Sequence, residues 1–299
     1  MDLHSVTMPQ MDPTILARLQ AIAVAILFST GGLVIKASTF SAWQVASFRC
    51  GVAALVLLLI APAARRGWSW QTGLVGLPYA ATVVLYTLGN KYTTAANTIF
   101  LQDTAPLYIL LLAPFLLGER VARRDWWFLA TLALGMLLFF ARIDAPVPTA
   151  PRPLLGNLLA AASGVTWALT LLGVRWLARD DGQQGTPLAA VLAGNLIAFA
   201  AAGLFAWPVT DGGTANWLSV IYLGTFQIAA AYVLLAAAMR HLPALETSLV
   251  LLLEPVLNPI WVWLLLAEVP GRFAIMGGAI ILLATMLRVL QENRRASLG

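Results

Sequence analysis

Charged residues are scarce in this sequence of 299 residues, since only 10% are Asp, Glu, Lys or Arg. An average soluble domain carries about 25% charged and about 45 to 50% apolar residues. With 60% hydrophobic residues and a mean hydropathy of +0.83, this chain has too few charges to cover a water-facing surface. The composition therefore excludes an ordinary soluble domain. It also excludes a solvated basic module that binds nucleic acid, despite the net charge of +5.

Cysteine and histidine are almost absent as well. The single Cys50 excludes an intramolecular disulfide and argues against a cysteine metal site. The histidines, His4 and His241, do not form the His-Glu-x-x-His pattern of a metalloprotease, and neither suits the base of a serine hydrolase. No Gly-Lys-Ser/Thr phosphate loop is present. We therefore predict no enzyme activity, no cofactor, no metal site and no ATP hydrolysis on this chain.

Long apolar runs dominate what is present. Crossing a hydrocarbon core of about 30 Å takes about 20 mostly apolar residues in a helix. Runs of this kind predict ten transmembrane helices, near residues 16–36, 43–61, 72–90, 95–117, 126–142, 154–178, 187–207, 215–239, 244–266 and 272–290. We expect the first run to be retained rather than cleaved as a signal peptide, because Met1 to Thr14 carries Asp2 and Asp12 and no basic stretch. The predicted fold is an all-α integral membrane protein.

The sequence also repeats itself. A shift of 149 residues superimposes Ala80-Ala81 on Ala229-Ala230, Lys91 on Arg240, Ala95 on Ala244, Thr98 on Thr247, Pro106 on Pro255 and Glu119 on Glu268. Further upstream a shift of 139 places Lys36 on Arg175. Each copy contains five spans, so the second copy enters the membrane from the opposite side. We predict two inverted five-helix repeats, an architecture typical of secondary transporters.

A proline-rich stretch separates the two copies. Residues 145–153 contain Pro146, Pro148, Pro151 and Pro153, which cannot continue a helix. The predicted organisation is therefore an N-terminal repeat over 1–144, a linker over 145–153, and a C-terminal repeat with its tail over 154–299.

The distribution of Lys and Arg predicts the orientation. If both termini are cytoplasmic, 12 basic residues fall on the inner side and six on the outer side, as the positive-inside rule requires. Arg65-Arg66 and the group Arg120, Arg123 and Arg124 carry most of this bias. We expect a multi-pass membrane protein with both termini in the cytoplasm.

Short motifs add a resemblance to a known family. The run Leu117-Gly118-Glu119-Arg120 with Gly135, and its copy Leu266-Ala267-Glu268 with Gly277, resemble the two repeats of the EamA-like branch of the drug/metabolite transporter superfamily. Each copy keeps one of two glycines usual in the family, with Phe128 and Ala284 at the other positions. Within the branch, the chain is similar to bacterial amino-acid exporters of the YddG type. The resemblance implies a central cavity lined by helices 1 to 4 and 6 to 9.

Ionisable residues inside a span cost about 2.5 to 3.5 kcal/mol each on insertion scales, so they are candidate functional groups. Glu254 and Asp103 are the deepest in the predicted spans. Glu254 either binds a substrate ammonium or exchanges a proton, or it is a buried carboxyl bonded to a neighbouring helix. Asp103 has the same candidate role, or it pairs with Lys91 or Arg49.

A proline follows each of these two carboxyl residues closely in the sequence. Pro106 and Pro255 each remove a backbone donor near the centre of a span, so the helix ladder is weakest there. We predict a hinge at each of these two prolines.

Polar and aromatic side chains recur at intervals of 4, 7 or 11 residues, which places them on single helix faces. The candidate cavity residues are Tyr79, Tyr86 and Asn90 on the third helix, Asn97 and Tyr108 on the fourth, Ser163, Trp167 and Thr170 on the sixth, and Thr247, Glu254 and Asn258 on the ninth.

Such mixed faces suit a small zwitterion with an apolar side chain. Phosphorylated substrates require more fixed cations, and the candidates Lys36, Arg49, Lys91 and Arg175 all lie near predicted helix ends. Together with the resemblance to bacterial amino-acid exporters, these faces lead us to expect an amino-acid exporter of a bacterial inner membrane. We expect it to act by alternating access, in contact with membrane lipid and with no nucleic-acid partner. A multidrug, sugar-phosphate or nucleotide-sugar transporter is the alternative, followed by an intramembrane enzyme or a channel. The oligomeric state is left open, a monomer included.

Overall fold

The computed structural model describes residues 12–118, 123–179, 186–210 and 212–296. In these ranges the chain is helical apart from one isolated β-bridge between Val147 and Ala150. The α-helices are α1 (Pro13–Ser29), α2 (Gly31–Ala37), α3 (Ala42–Ile60), α4 (Trp70–Tyr92), α5 (Ala95–Gln102), α6 (Ala105–Leu117), α7 (Arg123–Ala141), α8 (Pro153–Arg179), α9 (Pro187–Gly203), α10 (Thr214–Tyr222), α11 (Ala231–Ala238), α12 (Ala244–Leu251), α13 (Leu253–Leu266) and α14 (Arg272–Ala296). A π-helical segment, Leu223–Ala230, joins α10 to α11.

Each of the ten predicted segments is helical, with three differences of detail. The first, fourth and ninth segments are each split into two helices, at Thr30, at Asp103-Thr104 and at Leu252. The last helix reaches Ala296 rather than 290, because its polar C-terminal residues continue the helix beyond the apolar run. The seventh ends at Gly203 rather than 207, a few residues before Pro208.

Eight helical stretches of the described ranges are long and apolar enough to cross a membrane. Two further apolar helices are shorter, at Asp125–Ala141 and Pro187–Gly203. At 1.5 Å per residue, 17 residues extend about 26 Å, slightly less than a hydrocarbon core of about 30 Å. The fold is that of a multi-pass helical membrane protein.

The breaks in the fourth and ninth segments follow from proline chemistry. Pro106 lacks the N–H that would bond to the carbonyl of Gln102, four residues earlier, and α5 ends at Gln102. In the same way α12 ends at Leu251, four residues before Pro255. The two breaks thus lie at the positions where the missing donors interrupt the ladder.

Helix bounds recur at the offset of the sequence repeat. The pairs of helix starts are Ala95 with Ala244 and Arg123 with Arg272. The helices α6 and α13 end at Leu117 and Leu266, and each is followed by a left-handed residue, Gly118 or Ala267. In every pair the two positions differ by 149 residues. The chain therefore folds two similar lengths of sequence into similar series of helices.

The helices pack closely where glycines face neighbours. The helix α4 packs against α8 and α9, α3 packs against α9, and α7 packs against α14. A Cβ at Gly277 would lie 2.6 Å from the carbonyl oxygen of Gly135, so only glycine allows this approach of α14 to α7. Both residues belong to the glycine pattern that carries the family resemblance.

Candidate functional site

A cavity of about 100 Å³ lies inside the helix bundle. Its wall is formed by α1, α3, α4 and α5 from the first half of the chain and by α8, the π-helical segment, α11 and α13 from the second half. Both halves therefore contribute to one cavity, which is the arrangement expected of a small-molecule site between structural repeats.

Aromatic rings form much of the wall. Tyr79 and Tyr86 are seven residues apart on one face of α4, and Phe28, Trp167 and Tyr232 join them from α1, α8 and α11. The ring of Tyr232 packs edge-on against Tyr79 at a centroid distance of 5.8 Å and against Phe28 at 5.4 Å. These contacts fix the rings in place and give part of the cavity wall an apolar surface.

Two asparagines hold the tyrosine hydroxyls from behind the wall. Asn258 Nδ2 donates to the hydroxyl of Tyr86 at 3.1 Å, and Asn195 Nδ2 donates to that of Tyr79 at 3.3 Å. Asn258 and Asn195 are fully buried. Each tyrosine therefore presents its ring to the cavity while its polar end is satisfied by the protein.

Three charged residues line the same cavity in the described chain: Arg49, Asp103 and Glu254. Asp103 follows the last residue of α5, and Glu254 lies in the first turn of α13, so both carboxyls sit at the helix breaks. The partial positive charge of a helix N-terminus favours an anion in the first turn, as at Glu254. Arg49, on α3, is only 1% exposed, and its Nη2 donates to the carbonyl oxygen of Val83 at 2.9 Å.

Five predicted site residues lie in the cavity wall, namely Tyr79, Tyr86, Asp103, Trp167 and Glu254. Asn258 supports Tyr86 rather than lining the cavity itself. Within the described ranges Asp103 forms no ion pair with Lys91 or Arg49, the alternative role considered for it: Lys91 Nζ donates to the carbonyl oxygen of Ser38, and Arg49 Nη2 donates to that of Val83.

The remaining predicted residues form hydrogen bonds outside the cavity wall. The side chains of Asn90, Ser163, Thr170 and Thr247 donate to backbone carbonyls three or four residues earlier in their own chain segment. The structure does not place these four in the cavity wall.

Asn97 and Tyr108 are separated by the break between α5 and α6. Asn97 Nδ2 donates to Thr93 and Asn157 near the end of the bundle, whereas the Tyr108 hydroxyl donates to the sulfur of Met136 on α7. A helix face drawn across the break is therefore not continuous, and it is Asp103, at the break, that reaches the cavity.

Sequence reasoning missed Arg49 as a cavity residue and placed it near a helix end. It is the eighth residue of α3, which puts it about 11 Å into the helix at 1.5 Å per residue. A signal was available, because Arg49 begins an otherwise uncharged run that reaches Ile60. Tyr232, Gln102 and Gln227 also line the cavity and were not predicted.

One end of the bundle is closed by a buried ion pair. Lys36 Nζ lies 2.9 Å from Oε2 of Glu268 and donates to the carbonyl oxygens of Thr93 at 2.8 Å and Thr149 at 2.5 Å. Oε1 of Glu268 accepts from the N–H of Ala95 at 2.7 Å, at the first residue of α5. We call these five residues the Lys36 network. Glu119, the repeat counterpart of Glu268, lies outside the described residues.

The described residues contain no cluster of three or more His, Cys, Asp or Glu arranged to hold a metal ion.

The model of the EamA-like transporter family matches the chain twice, over residues 15–141 and 154–290. The chain belongs to the EamA-like transporter family. It is therefore a membrane transporter of a small molecule rather than an enzyme, and its two halves each contain one copy of the same family domain.

Relatives with names and structures agree with this membership. The chain is 24% identical over 278 residues to the pseudopaline exporter CntI of Pseudomonas aeruginosa strain UCBPP-PA14, covering 89% of this chain and 93% of that protein. It is 26% identical over 215 residues to an uncharacterized transporter of Archaeoglobus fulgidus, covering 69% and 71%. A solved crystal structure with 21% identity superimposes with a TM-score of 0.60 over 93% of this chain and 98% of the other, a likeness of fold.

Proposed function

We propose that this protein exports small amino-carboxylate metabolites, amino acids with apolar or aromatic side chains foremost, across a bacterial inner membrane. The observation that carries the proposal is the composition of the cavity wall. Rings of Tyr79, Tyr86 and Trp167 surround a space that also contains one cation, Arg49, and two carboxyls, Asp103 and Glu254. A ligand with both charges and an apolar side chain matches each of these groups.

The cavity argues against phosphorylated substrates. Phosphate is recognised by several Arg or Lys side chains, because it carries up to two negative charges on its oxygens. Among the described lining residues Arg49 is the one cation, and two carboxyls accompany it. A sugar phosphate or nucleotide sugar would therefore meet a single cation, with two carboxyls in the same lining.

The size of the cavity favours a small ligand. Sites for drug-sized molecules have volumes of about 300 to 1,000 Å³, whereas this cavity has about 100 Å³. A multidrug substrate would require the helices to separate considerably. An amino acid requires a much smaller rearrangement of the wall.

We propose alternating access between two inverted five-helix repeats, with ten spans and both termini in the cytoplasm. The recurrence of helix bounds at an offset of 149 residues supports two structurally similar halves. The breaks before Pro106 and Pro255 provide hinges on either side of the cavity. The similarity to a protein named as an exporter supports outward transport.

Energy comes from a gradient. We propose that Glu254, with Asp103 beside the same cavity, either binds the substrate ammonium or exchanges a proton during the cycle. Either role places a carboxyl at the hinge of α13, where a change of charge alters the helix junction directly.

A proteoliposome panel tests the function. Purified protein is given labelled phenylalanine, leucine, a cationic drug and a nucleotide sugar, and both uptake and counterflow are measured. We expect saturable uptake and counterflow for the amino acids. Saturation for another class alone would replace the proposed substrate, and uptake that neither saturates nor counterflows would indicate a channel.

The proposed topology has its own test. Reporter tags at Met1 and Gly299 must be accessible from the same face of the membrane, because ten spans return the chain to its starting side. Tags found on opposite faces would require an odd number of spans and would exclude the two inverted repeats.

A further inference from the structure

Arg49 is a buried cation whose hydrogen-bonding groups the protein leaves largely unused. It is 1% exposed, and Nη2 donates to the carbonyl oxygen of Val83 at 2.9 Å. Nε and Nη1 have no hydrogen-bond partner in the described part of the chain. A guanidinium carries five N–H donors, and leaving buried donors of a charged group unpaired is costly. Arg49 therefore has the donors and the charge to receive an anionic ligand.

The protein's own carboxyls do not fill this role. Asp103 and Glu254 line the same cavity, yet none of the ion pairs formed among the described residues includes Arg49. If Arg49 served only to neutralise these acids, direct contact with one of them would be the favourable arrangement in surroundings of low dielectric constant. The cation and the carboxyls instead present separate charged positions on one wall.

Aromatic side chains line the same cavity as these charged groups. Tyr79, Tyr86 and Trp167 contribute their rings to the same cavity, and the hydroxyls of the two tyrosines are already bonded to Asn195 and Asn258. The apolar part of a ligand can therefore lie against the rings while its charged ends reach Arg49 and a carboxyl.

We propose that Arg49 binds the carboxylate of the transported substrate and is the residue that selects amino-carboxylates over amines of the same shape. This inference rests on the proposed function and extends it, since it assigns the anionic end of the substrate to one side chain. The cationic end then faces Glu254 and Asp103.

The test compares ligands that differ in one group. Phenylalanine carries ring, ammonium and carboxylate, phenethylamine lacks the carboxylate, and 3-phenylpropionate lacks the ammonium. Each competes with labelled phenylalanine for the wild-type protein in proteoliposomes. A hydrogen-bonded charged pair contributes about 1.5 to 3 kcal/mol, so we expect phenylalanine to bind roughly ten- to a hundredfold more tightly than phenethylamine. Equal affinities would overturn the proposal without any variant.

Variants then assign the effect to Arg49. We expect Arg49→Gln to weaken phenylalanine binding by the same factor while leaving phenethylamine binding nearly unchanged, so that the ratio falls towards one. Arg49→Lys should restore part of the ratio, because it keeps the charge. Arg175→Gln, at an exposed position of α8, is the matched control and should keep the wild-type ratio. A wild-type ratio in Arg49→Gln would show that another group binds the carboxylate.

The outcome for Arg49 is separable from that for amino-acid transport. If the wild-type protein transports no amino acid, the proposed function fails. The role of Arg49 as a carboxylate site is then tested by measuring thermal stabilisation of the protein by 3-phenylpropionate and by phenethylamine. Stabilisation by the acid alone, lost in Arg49→Gln, supports the carboxylate site. The carboxylate site is excluded if neither compound stabilises the wild-type protein, or if both compounds stabilise the Arg49→Gln variant.

Discussion

Lys36 and Glu268 form an ion pair with almost no contact with solvent: Nζ and Oε2 are 2.9 Å apart, and the side chains are 2% and 4% exposed. The ammonium also donates to the carbonyl oxygens of Thr93 and Thr149. The pair ties the end of α2 to the loop after α13. It therefore joins the two halves of the chain on the side that we assign to the exterior.

Removing the charge of one partner of this ion pair should destabilise the protein strongly. Glu268→Gln leaves Lys36 as a buried charge without its counterion, and such a loss typically costs about 3 to 5 kcal/mol. We expect a large decrease in the free energy of unfolding, measured by denaturant titration in mixed micelles. Replacing both partners, Lys36→Met with Glu268→Gln, should recover much of this loss because no unpaired charge remains.

The pair Arg18 and Glu246 provides the control. These side chains are 54% and 32% exposed, and exposed pairs contribute little because water screens both charges. Glu246→Gln should leave the unfolding curve nearly unchanged. Equal effects of Glu268→Gln and Glu246→Gln would contradict the burial argument.

Glu254→Gln should change how transport responds to pH. A carboxyl in the cavity can bind and release a proton, whereas an amide cannot. If Glu254 exchanges a proton during the cycle, the wild-type protein accumulates substrate under an imposed pH gradient and the variant performs only counterflow. Transport assays at several pH values with and without a gradient measure this. Full activity with an unchanged pH profile would remove Glu254 from the mechanism.

Asp103→Asn separates the roles of the two carboxyls. Asp103 and Glu254 line the cavity from different halves of the chain. Glu254 lies in the first turn of α13, whereas Asp103 follows the last residue of α5. We expect reduced substrate affinity with the coupling to pH retained. A variant that folds and transports with wild-type affinity would show that Asp103 does not contact the substrate.

The positions of the helices were predictable because membrane insertion imposes a simple rule. Apolar runs bounded by charges located all ten segments to within a few residues, and the prolines located the breaks of α5 and α12. Lipid exposure requires apolar residues along most of each segment, so the signal is strong.

The cavity was less predictable, for reasons that particular residues show. Helix faces were drawn as if each segment were continuous, and the break at Asp103 made Asn97 and Tyr108 face different neighbours. Serine and threonine can donate to their own helix, as Ser163 and Thr170 do, and then need no cavity. Arg49 was judged by its distance from a segment end, yet its side chain reaches the centre of the bundle.

Gly32→Ala should weaken substrate binding indirectly, by displacing Asn258 behind the cavity wall. A Cβ at this position would lie 2.4 Å from Oδ1 of Asn258, the residue whose Nδ2 holds the hydroxyl of Tyr86. Forcing extra volume into such a contact costs about 1 to 3 kcal/mol, and it displaces Asn258. We expect lower stability together with weaker substrate binding. Gly73→Ala, where no neighbouring atom lies within 4 Å of the added Cβ, is the matched control and should stabilise the helix slightly.

Trp167→Ala should change which amino acids are transported rather than whether any are. Trp167 lines the same cavity as Tyr79 and Tyr86, and contacts between aromatic rings contribute about 0.5 to 1.5 kcal/mol beyond the area that they bury. We therefore expect the affinity for phenylalanine to fall roughly three- to tenfold relative to that for alanine, measured by competition in proteoliposomes. Trp263→Ala, at a side chain on α13 that is 53% exposed on the surface of the bundle, should keep the wild-type preference. A parallel loss of affinity for phenylalanine and alanine in Trp167→Ala would mean that this ring supports the packing of α8 and does not contact the side chain of the substrate.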